Sequence, residues 1–171
     1  SSLLGFSKQR EAVRTAYGHV DEIIERAIQT VKVNPELEAV EIAFSHDGPC
    51  AGWFDPGKVE RVMLNLLFNA AEAVSHSSGK IHVSCQASAG GIEIRVADNG
   101  PGIPESIRDS IYEPFVSQGK ATGIGLGLTV VQKLMQDHGG EVSVEKTGPD
   151  GTVFKLVFPA TVVQGDALRS A

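Results

Sequence analysis

IHVSCQASAGGIEIRVADNGPGIP, residues 81–104, reads as two strands, a tight turn and a glycine-rich exit. Apolar and polar residues alternate in IHVSCQA and again in GIEIRVA, which is the period of a half-buried strand. Ala89-Gly90-Gly91 between them supplies the turn of an antiparallel hairpin, with Asp98 at its outgoing end. The next residues, Asp98-Asn99-Gly100-Pro101-Gly102, turn sharply where glycine permits positive φ and close approach of a ligand. An ordinary turn has the same composition.

Working outward toward the N-terminus, RVMLNLLFNAAEAV at 61–74 has helical spacing, and Asp55-Pro56 supplies a cap and a tolerated first-turn proline. A helix is expected from Pro56 to about Val74. AVEIAFS at 39–45 alternates like a strand, and CAGWF at 50–54 is a second one. The first thirty residues, with Val13, Ala16, Tyr17, Val20, Ile23, Ile24 and Ala27 at threes and fours, predict an amphipathic helix that Asn34-Pro35 ends. Toward the C-terminus, Gly119 to Gly127 is a glycine-rich loop, and LTVVQKLMQDHGG is a helix stopped by glycine. EVSVE and TVFKLVF around Pro149-Asp150-Gly151 form a last hairpin, and the small, polar tail after Pro159 is expected to fray.

At 171 residues, 42% hydrophobic and 21% charged, the chain fits one water-soluble globular domain. A net charge of −6 without a run of Lys or Arg argues against nucleic acid as a partner. Cys50 and Cys85, in no metal-ligand spacing, predict reduced thiols and a cytoplasmic protein. Apolar stretches fall short of the ~20 residues that cross a bilayer, so no membrane contact is expected.

Arg61, Asn65, Asn69 and Glu72 share one face of the 56–74 helix, with Val59, Val62, Met63, Leu66, Ala70 and Ala73 on the core side. Asparagine is a poor helix former, costing roughly half a kcal/mol relative to alanine. An amide oxygen can ligate magnesium beside phosphates, although a satisfied surface amide would look the same. The Asp98 carboxylate accepts hydrogen bonds and suits an exocyclic amine such as adenine's, where guanine offers a carbonyl. Gly123, Gly125 and Gly127 before a helix would expose N–H groups to an anion, or serve as a flexible linker. Together these describe a pocket for a magnesium nucleotide, most simply ATP. Gly52 to Lys58 has the spacing of a Walker loop, but Val59 stands where a hydroxyl should hold magnesium. The glycine run at 123 lacks the spacing and preceding strand of a dinucleotide fold.

NLLFNAAEA, DNGPGIP, EPF at 113–115, GIGLGL at 123–128 and GTVFKLVFP at 151–159 resemble, in order, the boxes of the histidine kinase ATP-binding domain. That family lies in the wider gyrase, chaperone, histidine kinase and MutL group. The resemblance implies an α/β two-layer sandwich, a mixed sheet with helices packed on one face. It assigns ATP and Mg2+ as ligands. Asn69 would hold the metal, Asn65 the phosphate side of the same helix, and Asp98 the adenine amine. Gly100, Gly102 and Ile103 would shape the adenine pocket, with Thr152 supporting the base. The loop from Val116 to Gly123 would be a lid with Phe115 packing its base; Lys120 would touch the phosphates or stand as a solvated loop lysine, Gly123, Gly125, Leu126 and Gly127 would close over the triphosphate, and Thr122 and Leu128 would also bind nucleotide.

Relatives that hydrolyse ATP carry a glutamate where this chain has Asn65, and an amide cannot take the proton from water. The resemblance therefore implies a sensor kinase fragment that positions ATP for transfer to a histidine, and thence to a response regulator aspartate. The alternatives are a stand-alone ATPase or serine kinase of the same group, and a scaffold that has lost nucleotide. No His-Glu-x-x-x-Pro-like acceptor occurs, so the acceptor histidine is expected upstream, on the dimerisation domain of a homodimeric kinase. LLGFSK at 3–8 resembles the end of that domain's second helix. The expected layout is a helical end plus linker at 1–30, the ATP-binding domain at 31–160 and a tail at 161–171. Ala73 replaces an aromatic residue that many relatives stack on adenine.

Overall fold

Strands form where the sequence alternates. The computed structural model describes residues 13–74, 78–88, 90–114 and 127–159. It contains β1 (Ala16–His19), α1 (Val20–Lys32), β2 (Glu41–His46), β3 (Ala51–Phe54), α2 (Pro56–Ala73), β4 (Lys80–Ser88), β5 (Gly91–Asp98), α3 (Gly127–Asp137), β6 (Glu141–Gly148) and β7 (Gly151–Pro159). Five strands make one sheet in the order β2-β4-β5-β7-β6. β2 pairs with β4 in parallel and the other neighbours are antiparallel, so the sheet is mixed. The hairpin expected over 81–104 is present, with Ile81 opposite Asp98 and Val83 opposite Val96. Ala89 of its turn lies outside the described residues.

Period-two patterning gives this sheet one dry face. Ile81, Val83 and Cys85, Ile92, Ile94 and Val96, and Phe154, Leu156 and Phe158 are buried beneath the helices. Each helix contributes one apolar stripe: Ile24, Ala27 and Val31 from α1, Val62, Met63, Leu66 and Leu67 from α2, Val131 and Met135 from α3. The other face is polar. Arg95 donates to Glu145 at 2.8 Å and to Glu93 at 3.2 Å, and Lys155 lies 4.0 Å from Glu93. Such half-exposed pairs contribute little to stability, and they keep that face wet. The architecture is the two-layer α/β sandwich implied by the resemblance.

The N-terminal helix begins later than expected. Residues 1–12 lie outside the described residues, and Ala16–His19 is a strand that pairs antiparallel with Ala51–Phe54 in a separate two-stranded sheet. Gly18 is the physical reason: it is costly inside a helix, and in the strand its bare Cα faces the Phe54 ring. Tyr17, counted on the buried side of a helix, is 61% exposed and meets Trp53 edge-on across the strands. α1 also crosses residue 30 without a break, so the boundary expected there falls inside an element packed in the common core. Cys50 and Cys85 are free and buried, and burial raises the pKa of both thiols. Among the described residues, no helix is long and apolar enough to cross a membrane.

Candidate functional site

α2 is fixed firmly at its start. Asp55 Oδ1 accepts the Lys58 N–H at 3.3 Å, Asp55 Oδ2 accepts the Arg14 N–H at 2.9 Å, and the Asp55 N–H donates to His138 Nε2 at 3.1 Å. Because Nε2 accepts, the His138 proton sits on Nδ1, which donates to the Leu134 carbonyl at 2.9 Å. Burial holds this ring below the ordinary histidine range, partly offset by its bond to Leu134 and by Asp55. His138 thus ties the end of α3 to the first turn of α2. From that anchored start the helix buries Val59 through Ala71 on one side and leaves Asn65, Asn69 and Glu72 half-buried, with Arg61 exposed.

At the far end of α2, Ala73, grouped with the core side in the sequence, is only half-buried: it follows Asn69 by four residues and so lies on the amide face about one turn on. Here the Asp98 turn arrives. Asp98 Oδ1 accepts the Gly100 N–H at 2.9 Å, which fixes the carboxylate over its own turn. A Cβ on Gly100 would lie 3.0 Å from the Ala73 carbonyl, 3.1 Å from the Ala73 methyl and 3.1 Å from Asp98 Oδ1. Glycine gives that approach its room, since a Cβ would fit only if its neighbours gave way by a few tenths of an ångström. Asp98 continues the helix-facing series Ile92, Ile94, Val96, and Thr152 stands directly opposite it on β7. The amide helix and the carboxylate turn therefore meet on one side of the sheet. A hollow of about 320 Å³ lined by Ala73, Val74, Ser78, Asn99, Gly100, Pro101 and Pro149 opens beside them.

Two further contacts hold the turn. Asn99 Oδ1 accepts the Lys80 N–H at 2.9 Å, and Asn99 Nδ2 donates to the Ser78 carbonyl at 3.0 Å, which fixes the return from α2 into β4. Gly102, at φ +89°, packs where a Cβ would strike the Gly148 carbonyl, and the next amide, Ile103 N–H, donates to Thr147 Oγ1 at 2.8 Å. Thr147 Oγ1 in turn lies 3.0 Å from Thr152 Oγ1. At the start of α3, Thr129 donates to the Tyr112 carbonyl at 2.7 Å. The Tyr112 phenol is raised above its ordinary value by burial, and its hydroxyl has no hydrogen-bond partner among the described residues.

Of the residues singled out in the sequence, Asp98, Gly100, Gly102, Ile103 and Thr152 converge on one turn, and the face bearing Asn65 and Asn69 runs down to it. Gly127 and Leu128 open α3, which packs beside α2. Phe115, Lys120, Thr122, Gly123, Gly125 and Leu126 lie outside the described residues. Sequence reasoning missed Thr147, Asn99 and Thr129. Asn99 stood in a quoted motif, but no pattern distinguished its side chain from any turn asparagine. The residues present suit a magnesium nucleotide: an acceptor carboxylate at a glycine turn, and half-buried amides along the helix that leads to it.

Residues 54–162 match the family described as histidine kinase-, DNA gyrase B-, and HSP90-like ATPase. The chain is 38% identical over 138 residues to the C4-dicarboxylate transport sensor protein DctB of Rhizobium meliloti (strain 1021), which covers 79% of this chain and 22% of that protein. Among solved structures, the catalytic domain of histidine kinase ThkA resembles it with a TM-score of 0.78 at 26% identity, over 87% of this chain and 97% of that one. Histidine kinase ThkA in complex with response regulator protein TrrA matches at 0.76 and 25%, over 96% of this chain and 47% of that one.

Proposed function

The chain belongs to the histidine kinase-, DNA gyrase B-, and HSP90-like ATPase family, and we propose that it is the ATP-binding catalytic domain of a two-component sensor histidine kinase. The observation that carries this reading is the Asp98 turn seated through Gly100 against Ala73, with Asn69 one helical turn away and Thr152 opposite. Asp98 accepts the adenine amine, its orientation already set by the Gly100 N–H, and Thr152 supports the base. Gly102 and Ile103 give the pocket its shape. Asn69 holds Mg2+, which neutralises phosphate charge when bound, and Asn65 faces the phosphates one turn earlier. Gly127 and Leu128 present the start of α3 to the triphosphate, and Lys120, Thr122, Gly123, Gly125 and Leu126 complete the cover.

Phosphoryl transfer depends mainly on positioning and charge neutralisation, so a domain without its own acceptor suits the chemistry. Asn65 offers no base to activate water, and the γ-phosphoryl is kept for a histidine on the dimerisation domain of a homodimeric kinase. DctB is named as a sensor, and ThkA has been captured with a response regulator. By that likeness the phosphoryl group goes on to a receiver aspartate. The chain is read as lying on the cytoplasmic side.

Calorimetry with a non-hydrolysable ATP analogue tests the reading. Binding is expected, and stronger with Mg2+ than without. A flat titration under both conditions would overturn it, and rapid phosphate release from ATP alone would favour the stand-alone ATPase.

A further inference from the structure

We propose that Thr147 is a positioning residue of the base pocket, acting through the Thr152 hydroxyl and the Ile103 amide; the inference rests on the ATP-binding reading above. Its origin is an irregularity in the β6–β7 ladder. Val144 pairs with Phe154, but Lys146 pairs with Val153 and Thr147 with Thr152, so Glu145 is an extra residue in β6. Without that bulge, regular pairing would set Lys146 opposite Thr152 and Thr147 opposite Gly151. A bulge gives up ladder pairing and re-aims the side chains that follow it. Here it exchanges a lysine for a hydroxyl beside Thr152, the residue opposite Asp98. The extra Glu145 is taken up by Arg95 on the open face.

The hydrogen bonds give the exchange a purpose. Thr147 Oγ1 accepts the Ile103 N–H at 2.8 Å and sits 3.0 Å from Thr152 Oγ1. A hydroxyl has one proton and two lone pairs, and an amide donor on its oxygen makes its own proton a better donor. Ile103 N–H donates to Thr147, and either hydroxyl can supply the proton of the Thr147–Thr152 bond; in the proposed arrangement Thr147 supplies it. In that arrangement Thr152 accepts on the Thr147 side, and its own proton points away from Thr147. On the other side of Thr152, directly opposite on β5, is Asp98. The pocket then offers a hydroxyl donor beside a carboxylate acceptor, the complement of a base edge that carries an acceptor nitrogen beside an amine. Gly102 against the Gly148 carbonyl seats the same turn on the same hairpin a second time, so Thr147 acts on a surface already in register.

The test compares Thr147→Val and Thr147→Ser with the unaltered chain in calorimetric titrations with the magnesium complex of the ATP analogue, together with thermal unfolding. Thr147→Val is expected to weaken binding about fivefold to tenfold with little change in unfolding midpoint, and Thr147→Ser to restore it to within about twofold. Unaltered affinity in Thr147→Val, or a Ser variant as weak as Val, would overturn the role. Should Thr147→Val not fold, the Ile103 amide resonance of the unaltered chain decides the matter. It should move when adenosine is added, and a stationary signal during adenosine binding overturns the proposal. If the unaltered chain binds no nucleotide, the ATP-binding reading falls and Thr147's role falls with it; binding with an insensitive Thr147→Val removes only the latter.

Discussion

At the scale of single residues, Asp98 and Gly100 make separable demands. Asp98→Ala removes an ionised acceptor whose hydrogen bond contributes about 1.5–3 kcal/mol, so affinity for adenine nucleotides should fall at least about tenfold, as read by calorimetry. Gly100→Ala removes no hydrogen-bonding group but brings a methyl close to the Ala73 carbonyl and Asp98 Oδ1. It should cost about 1–3 kcal/mol in a denaturant titration and weaken nucleotide binding as the turn lifts from the helix. Asn65→Glu installs a base where none exists. Phosphate release from ATP should rise in that variant, and an unchanged rate would show that Asn65 does not face the γ-phosphate. The types of these residues were legible in the sequence because amide, carboxylate and glycine each carry a distinct chemistry. Thr147 was not, since a threonine in a strand is common and its partner depends on where the bulge falls.

Among the elements, α2 bears most of the site and is held at its start by Asp55 and His138. Asp55→Ala removes the helix cap together with the bond to Arg14, and should lower stability by about 1–2 kcal/mol in urea. His138 makes stability depend on pH. Burial lowers its folded pKa below that of the unfolded chain, near 6.5, so the neutral form is favoured on folding. Its contribution is complete above about pH 6.5 and is lost as the pH falls toward the folded pKa. Urea midpoints measured from pH 7.5 to 5 should decline, and less steeply in His138→Gln. Strands and helices were readable wherever one period ran long enough, as in β4, β5, β7 and α2. β1 was not, because Ala16 and Tyr17 fit the spacing of the following helix, and only pairing with Ala51–Phe54 overrides it.

For the molecule as a whole, the mixed sheet with helices on one face followed from the family boxes, while the separate β1–β3 ribbon followed from nothing local. The proposed division of labour predicts that the isolated chain does not label itself from radioactive ATP, yet labels a supplied dimerisation domain carrying the acceptor histidine. Self-labelling would place an acceptor within these residues and overturn that division. The order of strands has a consequence for biosynthesis. β7, synthesised after every other strand of this sheet, is interior to it, between β5 and β6. Until it emerges, β5 has a bare hydrogen-bonding edge and Asp98 has no Thr152 across from it. A nascent chain stalled before Gly151 is therefore an aggregation-prone species blind to nucleotide, and ligand capture during translation should switch on only once the β6–β7 hairpin clears the exit tunnel.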